Sequence, residues 1–477
     1  MGTLITKSDI LAYLDAPLHL WAAKHEQLDM TAPSEYARLI MEQGQQVETM
    51  AKDFLKQFIL PAFPGAVISF EDTFETGKFL ARADALLYDP AAEVYDLFEI
   101  KSASSVKPEH LYDITFQRLV CEESLPIRDV YLVHLNKDYI RQGEIEIGQL
   151  FRLSKLTAES EEKRLEMLGI RDQAWQVCDQ PSPAGVESCL KPKTCPCPQL
   201  CHPGLPDYPI YDIPRLHKSK ARQLKDQGIL AVKDIPPGFP LTPKQQPYKN
   251  AVVSGRIFID HSSIQEELAG LSYPLYFLDY ESYNPAVPMY EGYAPYQQIV
   301  FQYSLHVFET PDSPPQHYEF LEAERRDPSL GLLEHLDKHI GRSGSVIVWN
   351  KAFEAGRNQD MAARYPQYSG MLLNINQRIY DLMTIFSKGY YVHTEFHGSA
   401  SIKKVLPVID PDFDGQYAAL EVSQGEEAML AWHRLASTPL PPEERAEIIE
   451  NLLAYCELDT LAMVKVWQAL GKLAAPA

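Results

Sequence analysis

Apolar side chains recur at helical spacing near the start of the chain. "KSDILAYLDAPLHLWAAKH" and "EYARLIMEQGQQVETMAKDFLKQF" place them three and four apart, so residues 1 to about 60 read as helical. Between 66 and 135 the pattern shortens to the strand-like runs "AVISFEDTF", "FLARADALLYD", "EVYDLFEIKS" and "RDVYLVHLN". The segment "PEHLYDITFQRLVCEESL" between the third and fourth runs returns to helical spacing, which makes a mixed α/β unit. "IGQLFRLSKLTAESEEKRLEMLG" then reads as one long helix leading to a cysteine-rich stretch at 178–201. Two proline-rich pieces, "CHPGLPDYPIYDIP" and "PPGFPLTPKQQPYK", flank the most basic stretch of the chain and mark a boundary. Beyond them lie the strand "LYFLDYESYN", the strand "SVIVWN" and the long helix "PEERAEIIENLLAYCELDTLAMVKVWQALGKL". The expected division is a domain at 1–202, a bridge at 203–268 and a domain at 269–477.

A length of 477 residues exceeds one ordinary core and fits this division. No run of about eighteen apolar residues is present, which predicts no membrane span. The beginning lacks a signal-peptide pattern, so the expected location is cytoplasmic. "MGTLIT" fits the loose myristoylation pattern, a short and degenerate signal. The net charge of −21 excludes a bulk nucleic-acid coat but not an enzyme with one local basic groove. Four of the seven cysteines fall in "CLKPKTCPCPQLC", Cys189 to Cys201, a cluster that reads as metal-binding rather than disulfide-forming.

Chemistry enters at two places. In "LYFLDYESYN" the acids Asp279 and Glu281 are two apart and share a strand face. Adjacent desolvated carboxylates repel each other, and a divalent cation is what would stabilise them. Far downstream Tyr455 and Asp459 are four apart on one helix face. In the first half, Glu99 and Lys101 share a strand face, and a hairpin would bring Asp84 beside them. Two carboxylates can hold Mg²⁺ or Mn²⁺ against a phosphodiester while a lysine positions the attacking water. The plain alternatives are a Glu–Lys pair on a surface strand and an ordinary acidic strand end.

Asp84, Glu99 and Lys101, with Gln117 on the next helix, resemble the PD-(D/E)XK nuclease superfamily and its RecB-like branch. That branch tends to carry an early-helix histidine after a glycine; here Gly44 is followed by Glu48. Strand D-x-E and helix Y-x3-D resemble the first and last motifs of the DEDD exonucleases, tyrosine subclass. Their middle motif is matched by Asn350, Phe353 and Glu354, with glutamate in place of the usual aspartate. Asp381 reads as structural, and Ser401, Lys403 and Lys404 as a later block whose lysines suit phosphates. Both halves in this order resemble an uncharacterised bacterial family joining the two domains. The resemblance implies a restriction-endonuclease-like α/β domain followed by a ribonuclease-H-like α/β domain with a mixed sheet. It implies a metal-dependent nuclease, with 3′-to-5′ exonuclease activity on single-stranded nucleic acid from the second domain.

RecB-like nucleases with an iron–sulfur cluster carry one early and three later cysteines. Cys189, Cys195 and Cys201 match the later trio, but Ala16 stands where the first would fall. Cys197 or Cys178 are the expected substitutes, with an iron–sulfur cluster or Zn²⁺ as the metal; the alternatives are a lost cluster and four unliganded thiols in a proline-rich loop. Arg215, Lys218, Lys220, Arg222 and Lys225 precede a Gly-Ile turn that resembles a helix–hairpin–helix element, a phosphate binder. The competing expectation is a nucleic-acid-binding scaffold in repair or defence whose nuclease folds have lost their chemistry. DNA and RNA are not distinguished by these residues.

Overall fold

The structure, a computed structural model, describes residues 4–28, 33–413, 415, 416, 420 and 422–474. Gly2, the residue of the myristoylation pattern, lies outside the described residues. The chain is α/β with mixed sheets and divides into two compact units. The first comprises Met1–Gly204 together with Pro285–Gln297; the second comprises Leu205–Asn284 and Gln298–Ala477. No helix among the described residues is long and apolar enough to cross a membrane.

Unit 1 is organised by a six-stranded sheet. Its strands are β1 (Ile5–Thr6), β2 (Val67–Thr76), β3 (Phe79–Asp89), β4 (Val94–Lys101), β5 (Ile127–Leu135) and β6 (Phe151–Lys155). β2, β3 and β4 form an antiparallel meander; β5 joins β4 in parallel and β6 closes the edge in antiparallel. A parallel neighbour needs a crossover, which helix α4 (Pro108–Cys121) supplies. The segment expected as one helix from Ile147 departs from that expectation. Phe151–Lys155 is strand β6, and the long helix α5 starts only at Thr157 and ends at Cys178. Pairing Phe151 with Leu135 and Leu153 with Val133 outweighs local helix propensity at an otherwise open sheet edge.

Among the described residues three α-helices precede the meander: α1 (Lys7–Asp15), α2 (Pro17–Lys24) and α3 (Glu35–Phe54). Thr6 and Asp9 form a capping box that starts α1, with the Thr6 amide donating to Asp9 Oδ2 at 2.7 Å. The segment 285–297 packs within unit 1: the Tyr296 hydroxyl donates to the Ser102 carbonyl at 2.6 Å, and Arg141 donates to the carbonyls of Pro288 and Met289.

Unit 2 contains a strand pair, β7 (Phe258–Ile259) with β13 (Tyr391–Val392), and a five-stranded sheet. The sheet strands are β8 (Leu275–Tyr283), β9 (Ile299–Phe308), β10 (Gln316–Leu321), β11 (Ser345–Val348) and β12 (Ile379–Asp381). Their spatial order is β10-β9-β8-β11-β12, antiparallel through β10, β9 and β8, then parallel through β11 and β12. β8 is therefore the central strand. Its residues alternate between two cores. Leu275 and Phe277 pack with Leu458, Ala462, Val466 and Leu470 of helix α9 (Pro442–Ala474), whereas Tyr276, Leu278 and Tyr280 join Val346, Val348 and Met361. Asp279 and Glu281 continue the first parity, which aims them toward α9.

Leu278 is fully buried at the middle of this strand. Leu278→Ala is expected to cost about 2–5 kcal/mol of stability; a urea denaturation midpoint indistinguishable from wild type would contradict that placement.

Candidate active site and metal centres

The carboxylates of unit 2 converge from distant parts of the chain. Oxygens of Asp279, Glu281 and Asp459 lie within 4.8 Å of one another. Asp279 and Glu281 sit within β8 rather than at its end, and a register shift against β9 follows directly after Glu281. Such bulges re-aim side chains beside functional sites. Tyr455, Cys456 and Asp459 come from α9. The Cys456 thiol donates to Asp279 Oδ2 at 3.9 Å.

Glu354 sits in the first turns of helix α7 (Lys351–Arg364). Asp381 organises that helix start: its carboxylate accepts from the amides of Asn350, Lys351 and Met383, each at 3.1 Å. This satisfies orphan amides at a helix N-terminus, so Asp381 has the structural part expected from the sequence. Glu354 Oε2 is buried and has no hydrogen-bond partner.

Electrostatics follow from this crowding. Burial first, then the Asp459 charge, holds the Asp279 carboxyl well above the usual carboxylate range. Burial, Asp279 and Asp459 do the same to Glu281. Burial and then Asp279 push Glu354 up to about 9. Lys403, on helix α8 (Ile402–Ile409), draws both the Asp279 and the Glu281 carboxyls down without overcoming burial. Its ammonium donates to the Tyr455 hydroxyl at 3.4 Å and lies 5.1 Å from the centroid of that ring. Lys403 thus turns inward, while Lys404 is exposed. Three half-buried carboxylates within ligand distance of one another, beside a buried Glu354 oxygen without a hydrogen-bond partner among the described residues, fit hard divalent cations such as Mg²⁺ or Mn²⁺.

The unit 1 constellation is also assembled, with a different charge balance. β3 and β4 pair so that Ala85 faces Phe98, which sets Asp84 beside Glu99, and Asp84 Oδ2 accepts from the Ile100 amide at 2.8 Å. Asp84 lies inside β3, not before a turn. Glu99 is fully buried. Its Oε1 receives Lys7 at 2.6 Å and Lys101 at 2.9 Å, and its Oε2 accepts from Gln117. Burial alone would raise Glu99; Lys7 and Lys101 overcome it and hold the carboxyl down at about 2. Burial and the Glu99 charge push Asp84 up to about 8.

Lys101 also pairs with Asp113, one helical turn before Gln117 on α4, at 2.5 Å. Lys7 and Asp113 were not legible as site residues. Lys7 gives no sequence signal, but the capping box at Thr6 starts the helix that delivers it. Asp113 is signalled by its i, i+4 spacing to Gln117. Glu48 pairs with Lys52 at 2.8 Å.

The cysteine cluster gains an imidazole that sequence reasoning missed. His19, Cys189, Cys195 and Cys201 offer ligand atoms all within 4.8 Å of one another. The His19 Nε2 lies 3.5 Å from Cys195 Sγ, while its Nδ1 lies 3.0 Å from Asp15 Oδ2. A carboxylate behind a histidine is the usual outer support of a metal ligand. Ala16, at the position of the expected early cysteine, packs in the apolar shell around Cys189, Cys197 and Cys201. His19 is three residues further along, and the i, i+3 spacing within "APLH" was the available signal. Cys197 Sγ lies 3.7 Å from Cys201 Sγ, outside the four-ligand group, and Cys178 packs in a different cluster. Burial pushes Cys201 up to about 12 and Cys197 up to about 11. Burial also lowers His19 despite Asp15, leaving the neutral imidazole a metal requires. This Cys/His cluster can hold a metal such as Zn²⁺.

The basic bridge residues lie in unit 2. Arg215 precedes helix α6 (Lys218–Asp226), which carries Lys218, Lys220, Arg222 and Lys225. Ala221 and Leu224 are buried, whereas Arg215, Lys218 and Arg222 are exposed. Lys220 is turned back onto the Pro240 carbonyl. Gly228 takes a φ of 74° that closes the turn, and the Ile229 amide donates to the Leu224 carbonyl.

Residues 276–401, from β8 to the residue before α8, match a domain of unknown function, DUF2779. The chain is 28% identical over 218 residues to an uncharacterised protein of Ureaplasma parvum, covering 41% of this chain and 31% of that protein. It is 27% identical to uncharacterised proteins of Mycoplasma pneumoniae and Mycoplasma genitalium, over 205 and 206 residues, 40% of this chain and 31% of each of them. The chain thus spans about a third of the length of the curated relatives it matches. No solved structure matches.

Zinc analysis after dialysis is expected to find metal in wild type and one equivalent less in both His19→Ala and Cys201→Ala. Retention of the full zinc content in His19→Ala would remove His19 from the ligand set.

Proposed function

We propose that the chain is a divalent-metal-dependent nuclease whose hydrolytic centre lies in unit 2. The observation that carries this reading is the convergence of Asp279, Glu281 and Asp459 from a central strand and a helix well over a hundred residues away. Glu354, and Tyr455 held beside Lys403, complete the arrangement. The strand order β10-β9-β8-β11-β12 is that of a ribonuclease-H-like sheet, and it supports a DEDD-type, 3′-to-5′ exonuclease acting on single-stranded DNA or RNA.

Bound cations would clamp the attacking and leaving oxygens of the phosphodiester. The residues divide the remaining work. Asp279, Glu281 and Asp459 supply hard oxygen ligands. Glu354 reaches from the α7 terminus with one methylene, about 1.5 Å, more than the aspartate usual in this motif, and its Oε2 is buried without a hydrogen-bond partner among the described residues. The Tyr455 hydroxyl, held by Lys403, is placed to orient the attacking water. The exposed Arg215, Lys218 and Arg222 suit the backbone of the nucleic acid.

Unit 1 supports a second reading. Its strand meander, crossover helix and Asp84–Glu99–Lys101 cluster support a PD-(D/E)XK reading, but Lys7 stands against Glu99 where a cation would be needed. That contact favours a binding or structural part for unit 1, with its chemistry available only if Lys7 withdraws. The metal of the Cys/His cluster, zinc or an iron–sulfur cluster, would tie the end of unit 1 to α2. Seven free thiols suit a reducing, cytoplasmic setting.

The test is a cleavage assay with Mn²⁺ or Mg²⁺ on 5′-labelled single-stranded and duplex DNA and RNA. A ladder of shortened products is expected from wild type and Lys101→Ala and none from Asp279→Ala. Loss confined to Lys101→Ala would move the chemistry to unit 1. Absence of cutting on every substrate would leave the scaffold reading in its place.

A further inference from the structure

A pair of histidines with a glutamate forms another candidate ligand group on unit 2, sharing no residue with the acidic centre. His306 on β9, His317 on β10 and Glu457 on α9 each offer one ligand atom, all within 4.8 Å of one another. His317 is the register partner of His306 across the two strands, and their rings stack at 4.5 Å. His317 Nδ1 lies 3.6 Å from Glu457 Oε1. A tetrahedral zinc with ligands at 2.0–2.1 Å has ligand–ligand edges of about 3.3 Å, so this edge is nearly preformed.

A hydroxyl chain behind the rings fixes their protons. The Glu457 carbonyl can only accept, so the Thr460 hydroxyl donates its single proton there, at 3.0 Å. The Thr460 oxygen must then accept from both the Ser304 hydroxyl at 2.7 Å and His306 Nδ1 at 2.9 Å. Ser304 has spent its proton and accepts from His317 Nε2 at 2.9 Å. The two remaining ring nitrogens, His306 Nε2 and His317 Nδ1, are therefore lone-pair sites. Each histidine has its other nitrogen held from behind, the arrangement that orients metal ligands. Burial keeps His306 neutral as well.

We propose that His306, His317 and Glu457 form a zinc-class transition-metal site, with water as the fourth ligand. Two imidazoles select zinc over magnesium, which prefers an all-oxygen shell. The site joins β9, β10 and α9, the helix that also bears Tyr455 and Asp459. Its existence is independent of what the acidic centre does.

The experiment counts zinc per chain in full-length protein equilibrated with Zn²⁺ in excess Mg²⁺, which occupies the all-oxygen centre. His317→Ala is expected to bind one equivalent fewer than wild type, and to lose the same equivalent in a Cys201→Ala background. Co²⁺ titration should show the corresponding loss of its visible absorption bands. His317 is partly exposed, so the variant should fold; if its circular dichroism is altered, Glu457→Gln, with the carboxylate about half exposed, serves for the same count. Equal zinc content in wild type and in the folded variant would overturn the proposal.

Discussion

Keeping carboxylates out of water is the constraint on which this molecule is built. A buried, unpaired carboxylate costs several kcal/mol unless it is neutralised, paired or bound to metal. The two units resolve that cost differently. Glu99 is buried in full and remains ionised because Lys7, Lys101 and Gln117 surround it. In the cluster of Asp279, Glu281 and Asp459, Lys403 lowers Asp279 and Glu281 without overcoming their burial, and the neighbouring Glu354 has a buried oxygen without a hydrogen-bond partner among the described residues. Glu99 in unit 1 is held down by two lysines, whereas Asp279 and Glu281 in unit 2 stay above the usual carboxylate range despite Lys403. That difference assigns the metal chemistry to unit 2 in the proposed function.

The sheet of unit 2 makes such a cluster attainable. β8 is central and its two faces are committed to separate cores, so the parity of its apolar residues fixes where Asp279 and Glu281 point. α9 packs against that face with Leu458, Ala462 and Val466, and the same packing brings Asp459 to the pair. Asp381 caps the helix that delivers Glu354. Each acid is therefore positioned by an apolar or capping interaction strong enough to hold like charges together.

Much of this was legible in the sequence because it depends on short-range periodicity. The two-residue spacings of Asp279–Glu281 and Glu99–Lys101 and the four-residue spacing of Tyr455–Asp459 follow directly from strand and helix geometry. β3, β4, β8 and α4 lie where alternation and helical spacing put them. What escaped depends on tertiary pairing. β6 is held by β5 and not by its own propensity. His19 and Lys7 reach their sites through helices whose docking no local pattern encodes, and His306 and His317 become neighbours only through the β9–β10 register.

The most direct measurement of the central claim is isothermal calorimetry of Mn²⁺ binding to metal-free wild type and Asp279→Asn, repeated in buffers of different ionisation enthalpy. Glu354, pushed up to about 9, carries a proton near neutral pH, so cation binding that recruits it must displace that proton. Wild type is expected to take up Mn²⁺ with a buffer-dependent heat from proton release, and Asp279→Asn to lose that uptake. Wild type that binds no Mn²⁺, or binds it unchanged in Asp279→Asn, would contradict it.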